Sequence, residues 1–66
     1  MRLTVNGEER EFDEGLTVAG LLALMKVPKR GTAVARNDRV VQHSEQAGVF
    51  VKAGDRIEII RAVAGG

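Results

Sequence analysis

Cysteine is absent from the 66 residues. That excludes a disulfide framework, a thiolate nucleophile and a cysteine-based metal site. Histidine occurs once, at His43, so there is no histidine cluster, and a lone polar residue reads as a surface or loop position. Tryptophan and tyrosine are missing. The aromatics are Phe12 and Phe50 alone, too few for a base-stacking platform. Ten basic and nine acidic residues intermix to a net charge of +1, which leaves no basic stripe for nucleic acid. No run approaches the ~20 apolar residues of a membrane span. Met1 to Val5 alternates polar and apolar where a signal peptide needs a continuous apolar stretch. The expectation is a soluble, cytoplasmic protein with no nucleic-acid or membrane partner.

Two further absences concern chemistry. The chain has no P-loop and no carboxylate cluster for a metal, and no nucleophile–base pair. It is expected to bind no cofactor and to catalyse nothing alone. A chain this short buries only about 60% of its unfolded surface. Residues 1–66 therefore form one domain with one core and little room for an enclosed pocket.

What is present reads in order. Arg2 to Val5 alternates, with Leu3 and Val5 on one face, and Asn6-Gly7 is the favoured pair for a type I′ hairpin turn. Glu8 to Phe12 returns as a second, mostly polar strand, its charges discouraging edge pairing and Phe12 anchoring its far end in the core. Thr17 is placed to N-cap a helix, with Leu16 and Leu21 as a hydrophobic staple. Val18, Leu21, Leu22 and Met25 keep helical spacing. The helix should end near Lys26, because Val27 precedes Pro28 and is biased away from helical geometry. Gly20 inside the helix suggests close approach to the sheet.

Thr32 to Asn37 reads as a third strand, Asn37-Asp38 as a turn and Arg39 to Val41 as a fourth strand. Gln42 to Gly48 is polar, with a short helical turn expected at Ser44 to Ala47. Val49-Phe50-Val51 should tuck onto the core. After the turn at Lys52 to Asp55, Arg56 to Val63 has the strongest β propensity in the chain. The order β-β-α-β-β-β gives an α+β class: a mixed sheet of about five strands on one helix. The first and last strands should pair in parallel at the sheet centre.

The last strand runs into Val63-Ala64-Gly65-Gly66. Glycine tolerates nearly any backbone geometry, so this ending suits a free, flexible tail that threads a narrow channel. The one reactive group it offers is the Gly66 carboxylate. That makes the tail a substrate for another protein's active site.

Four features carry a resemblance over essentially the whole chain. They are the short hairpin at Asn6-Gly7, the helix entry Leu16-Thr17-Val18 with Leu21-Leu22, the segment Ala33-Val34-Ala35-Arg36-Asn37, and the ending from Gly54-Asp55 through Ile57-Glu58-Ile59-Ile60 to Val63-Ala64-Gly65-Gly66. The pattern resembles the β-grasp, or ubiquitin-like, fold and, within it, the ThiS family of bacterial sulfur carriers in thiamin biosynthesis. One departure is Asn37-Asp38, where many relatives have Asn-Gly.

The resemblance implies a cycle. An adenylyltransferase resembling ubiquitin-activating enzymes (ThiF-like) would hold ATP and magnesium and adenylate Gly66. A sulfur donor, such as a cysteine desulfurase, would convert it to a thiocarboxylate. Thiazole synthase (ThiG-like) would accept the sulfur. Gly65, Ala64 and Val63 would thread the partner's site. The same residues admit a carrier for molybdopterin or another thio-metabolite, a protein modifier conjugated through Gly66, or a plain interaction module.

Alternation places a docking patch. With Leu3, Val5, Ile57 and Ile59 toward the helix, Glu58, Ile60 and Ala62 face outward. On the neighbouring strand either Val34 or the pair Ala33/Ala35 is exposed. Arg36 shares the parity of Val34, which favours Val34 outward. Carriers of the family that the chain resembles bind through this face, so the resemblance implies a partner interface at Ile60, Glu58, Ala62 and Val34.

Overall fold

A computed structural model describes residues 1–28 and 30–61. The elements are β1 (Arg2–Val5), β2 (Glu8–Glu11), α1 (Val18–Leu24), β3 (Thr32–Arg36), β4 (Arg39–Val41), a 3-10 turn at His43–Glu45, and β5 (Arg56–Arg61). The five strands form one sheet in the order β2-β1-β5-β3-β4. β1 and β5 run parallel, with Val5 opposite Ile57, and the remaining pairs are antiparallel. This is the mixed sheet on one helix that the residue pattern predicts, with β5 at its centre.

Local chemistry explains each boundary. Asn6 and Gly7 have φ of 49° and 83°, the two positive values that a type I′ turn requires. Asn37 and Asp38 repeat the device at 52° and 69°. Asp38 tolerates this conformation less well than glycine, but its carboxylate pairs with Arg56. β2 is exposed along its length, and its charges protect that edge from pairing with other chains. Phe12 is half-buried and packs against the core.

Helix α1 begins as expected. Thr17 Oγ1 accepts from the Gly20 N–H at 3.0 Å. The Val18 and Ala19 N–H groups donate to the carbonyls of Val49 and Gln46, both at 2.9 Å. The donors that a helix start leaves open are thus taken up within the protein. A Cβ built on Gly20 would meet Leu16 Cδ1 at 3.0 Å and Thr17 Oγ1 at 3.3 Å. The small residue therefore makes room for the staple and the cap, and not for the sheet. Helical Cβ atoms tilt toward the preceding turn, which is where those side chains lie.

The helix ends slightly before Lys26, with Met25 as C-cap. Lys26 adopts φ 57°. Its N–H donates to Ala23 O at 3.1 Å, and the Val27 N–H donates to Leu22 O at 3.0 Å. This pair of bonds is a Schellman ending, whose left-handed position favours glycine. Lys26→Gly is expected to stabilise the domain by roughly 0.5–1 kcal/mol, relief of strain exceeding the added freedom of the unfolded chain. Thermal unfolding should show a midpoint raised by a few degrees, and a lowered midpoint would reject the cap assignment.

The core between helix and sheet is Leu3, Val5, Val18, Leu21, Leu22, Val34, Val41, Val51 and Ile57, with Met25 and Ile59 half-buried against it. Of the apolar trio after the 3-10 turn, Val51 is buried and Val49 packs on the core, but Phe50 is 54% exposed. The segment is extended and anchored on both sides of Phe50: Val49 O accepts from Val18, and Val51 N–H donates to Leu16 O at 2.9 Å. Alternation then turns Phe50 outward. The helical turn lies at His43–Glu45, slightly earlier than the sequence suggests, because Glu45 Oε1 accepts from the Gln42 N–H at 3.0 Å and fixes the start there. His43 is exposed, and its Nε2 lies 3.1 Å from Thr32 O. Among the described residues no helix is long and apolar enough to cross a membrane.

Candidate functional site

β5 presents two faces. Ile57 is fully buried and Ile59 half-buried, while Glu58 and Ile60 point away from the helix. Ile60 stands opposite Ala33 on β3, and Glu58 opposite Ala35. Ala35 in turn faces Val40 on β4. Partners across a ladder share a face. Ile60, Ala33, Ala35 and Val40 therefore form one outward apolar strip, in which Ile60 and Val40 are 60% and 61% exposed.

Glu58 and Ile60 thus occupy the expected face, whereas Val34 does not. Val34 is buried, paired with Val41 and Ile59 on the helix side. Arg36 is what misleads the parity. That residue does share the face of Val34, but its Nε donates to Asp55 Oδ2 at 2.6 Å. An arginine at a strand end can keep core-side parity by pairing a carboxylate instead of facing water. Val40, Ala33 and Ala35 take the place assigned to Val34. A usable signal was side-chain size: in Ala33-Val34-Ala35 the larger residue goes inward. Ala62, Val63, Ala64, Gly65 and Gly66 lie outside the described residues.

Side-chain bonds hold β5 at its start and again at Ile59. At the start, the buried Asp55 carboxylate accepts from Arg36 Nε, from the Lys52 N–H at 2.7 Å and from Asn37 Nδ2 at 3.0 Å. Asn37 Oδ1 also accepts from the Arg56 N–H at 2.9 Å. Further along, the Ile59 N–H donates to Asn6 Oδ1 at 2.8 Å. Asn6 and Asn37 read from sequence as turn residues alone, because these second bonds reach across 53 and 19 residues.

Burial pushes the Asp55 carboxyl upward, but the hydrogen bonds from Asn37, Arg36 and Lys52 and the Arg36 charge outweigh it. The group is held below its ordinary value. A lowered folded-state value means that the contribution to stability is fully present above the unfolded value, about 3.9. It is lost as pH falls from there through the folded value. The thermal midpoint should drop below about pH 4. Asp55→Asn should be less stable at neutral pH and should show a shallower acid decline. Equal acid slopes in the two proteins would reject this role.

Among the described residues no three His, Asp or Glu side chains converge to hold a metal ion. A depression on the described surface is lined by Met1, Glu11, Phe12, Asp13, Glu14 and Leu24. It contains carboxylates but no nucleophile beside a base. What the described residues offer is an outward apolar strip on β5, β3 and β4.

Known proteins share this arrangement. The thiamine biosynthesis protein ThiS from Geobacter metallireducens superimposes in its crystal structure with a TM-score of 0.86 at 35% identity, covering 100% of both chains. Its solution structure gives 0.82 at 33%, covering 100% of this chain and 88% of that one. Among curated proteins, a thiazole synthase from Paramagnetospirillum magneticum is 44% identical over 66 residues, and one from Magnetococcus marinus is 32% identical over the same span. The chain spans 20% of the length of each of these two relatives. The ThiS family model matches residues 3–66, nearly the whole chain, and the fold agrees with the superimposed structures, so the chain belongs to the ThiS family.

Proposed function

We propose that this chain is a sulfur carrier of thiamin biosynthesis, working as a substrate and not as a catalyst. The observation that carries the reading is the family match running from Leu3 through Gly66. It includes the one group of the chain suited to activation.

A carboxylate is a poor electrophile, because its leaving group would be oxide. Adenylation replaces one hard substitution by two easier ones. The Gly66 carboxylate attacks the α-phosphorus of ATP and pyrophosphate leaves. A persulfide sulfur then attacks the acyl carbon and AMP leaves. A thiol cleaves the resulting S–S bond, itself becoming a disulfide, and Gly66 remains as the thiocarboxylate. This soft nucleophile passes its sulfur to the forming thiazole.

ATP and magnesium belong to a ThiF-like adenylyltransferase, and a cysteine desulfurase fits as sulfur donor. The acceptor is a ThiG-like thiazole synthase. The names of the two curated relatives support that choice, since each contains a stretch similar to this entire chain. ATP-dependent activation goes with a cytoplasmic location. The partners dock on the outward strip of β5, β3 and β4, with Ile60 at its centre, Glu58 beside it and Ala62 as a further contact. Val63, Ala64 and Gly65 thread the partner's channel.

The test is ATP–pyrophosphate exchange with a candidate adenylyltransferase, followed by intact mass after a sulfur donor is added. Exchange that requires this chain, and one sulfur-for-oxygen replacement mapped to Gly66, are expected. Gly66 linked to lysines of other proteins, with no thiocarboxylate, would instead make the chain a modifier.

A further inference from the structure

β5 is longer than the strand beside it. β1 ends at Val5, where the chain turns through Asn6-Gly7, while β5 continues to Arg61. The parallel ladder starts regularly: the Thr4 N–H donates to Asp55 O at 3.0 Å and the Asn6 N–H to Ile57 O at 2.9 Å. The next donor in that series is the Ile59 N–H. Its regular acceptor would be the Asn6 carbonyl, but Asn6 sits at φ 49° and has turned into the hairpin. The side-chain oxygen takes that place, accepting from Ile59 at 2.8 Å across a sequence separation of 53.

We propose that Asn6 is a positioning residue for the carboxy-terminal tail, fixing Ile59 by this side-chain bond so that the reacting end starts from a rigid strand. The inference rests on the sulfur-carrier reading above. It concerns a residue on the β1–β2 turn, far from the tail in sequence.

The physical reason is the number of residues a partner must order. Five residues follow Arg61. Without the Asn6 bond, the end of β5 keeps only its ladder to β3, where Ile60 faces Ala33 and Arg61 faces Thr32. If that end opens, the segment that a partner must order lengthens toward Ile59. Ordering one backbone residue costs about tenfold in a binding constant. The loss falls on capture of the tail. Chemistry at Gly66, once threaded, is unchanged, so KM for the chain rises while kcat holds.

Two substitutions separate positioning from general stability. Asn6→Gly keeps the positive φ and removes the acceptor. Asn6→Asp keeps both the turn preference and an acceptor oxygen. Amide exchange of Ile59 should accelerate about tenfold in Asn6→Gly and stay near wild type in Asn6→Asp. In adenylation assays at a temperature where all three proteins are folded, Asn6→Gly should raise KM about tenfold with kcat within about twofold. Asn6→Asp should restore KM.

An unchanged KM in Asn6→Gly, unchanged Ile59 exchange, or an Asn6→Asp protein as impaired as Asn6→Gly would each overturn the proposal. Wild-type chain that the adenylyltransferase leaves untouched would instead sink the carrier reading, and the inference with it. That result shows as missing wild-type turnover, not as a difference between variants.

Discussion

Gly66→Ala is expected to fold like the wild type and to lose adenylation by on the order of a hundredfold. Every residue of the core described above precedes Ile60, so one methyl group on the last residue leaves the packing intact. The reacting carboxylate has no such margin. On the proposed carrier reading it has to reach the α-phosphorus through a partner's channel, which two consecutive glycines would suit because neither carries a Cβ. A methyl there displaces the carboxylate, and a misplacement of about 1 Å costs about a hundredfold in rate. Thermal unfolding and ATP–pyrophosphate exchange, run on the same preparations, check both halves. A normal exchange rate with unchanged stability would show that the channel does not discriminate at this position. A lowered midpoint would show that Gly66 takes part in the fold.

Much of this molecule was legible because its signals are local. Asn6-Gly7 dictates its own turn geometry, Thr17 its own cap, and the spacing of Val18, Leu21 and Leu22 the buried side of α1. The family likeness was legible for the same reason, since hairpin, helix entry and ending are contiguous motifs. The errors arose where a side chain answers to something distant in sequence. Arg36 marked the outer face only if it met water, and its partner Asp55 lies 19 residues away. Phe50 looked like core because it is large and flanked by valines, but backbone bonds to the helix start fix its alternation. Gln46 sat in a polar stretch read as a short helical turn, yet it is buried and, among the described residues, neither of its amide atoms has a protein partner. Its backbone carbonyl is needed by Ala19 at the helix start, and that requirement places the side chain inside. In each case the deciding contact joins segments that no sequence window contains.

Ile57→Ala is expected to be the most damaging core substitution on β5, costing about 2–5 kcal/mol. Ile57 is fully buried on the central strand, with Val5 opposite it on β1 and Arg36 on β3. Replacing it removes methyl and methylene groups and leaves a void that helix and sheet cannot both close. A domain of this size has roughly 3–10 kcal/mol to lose, so the variant stands near the edge of folding. Its thermal midpoint should fall by at least about 8 °C. Ile60→Ala, three residues along and mostly exposed, should change stability by no more than about 0.5 kcal/mol while weakening capture by the adenylyltransferase. The two isoleucines thus separate the roles of one strand. Urea unfolding and adenylation KM, measured for both variants, decide it. A larger stability loss at Ile60 than at Ile57 would invert the faces assigned to β5, and an unchanged KM at Ile60 would remove the outward strip from the docking surface.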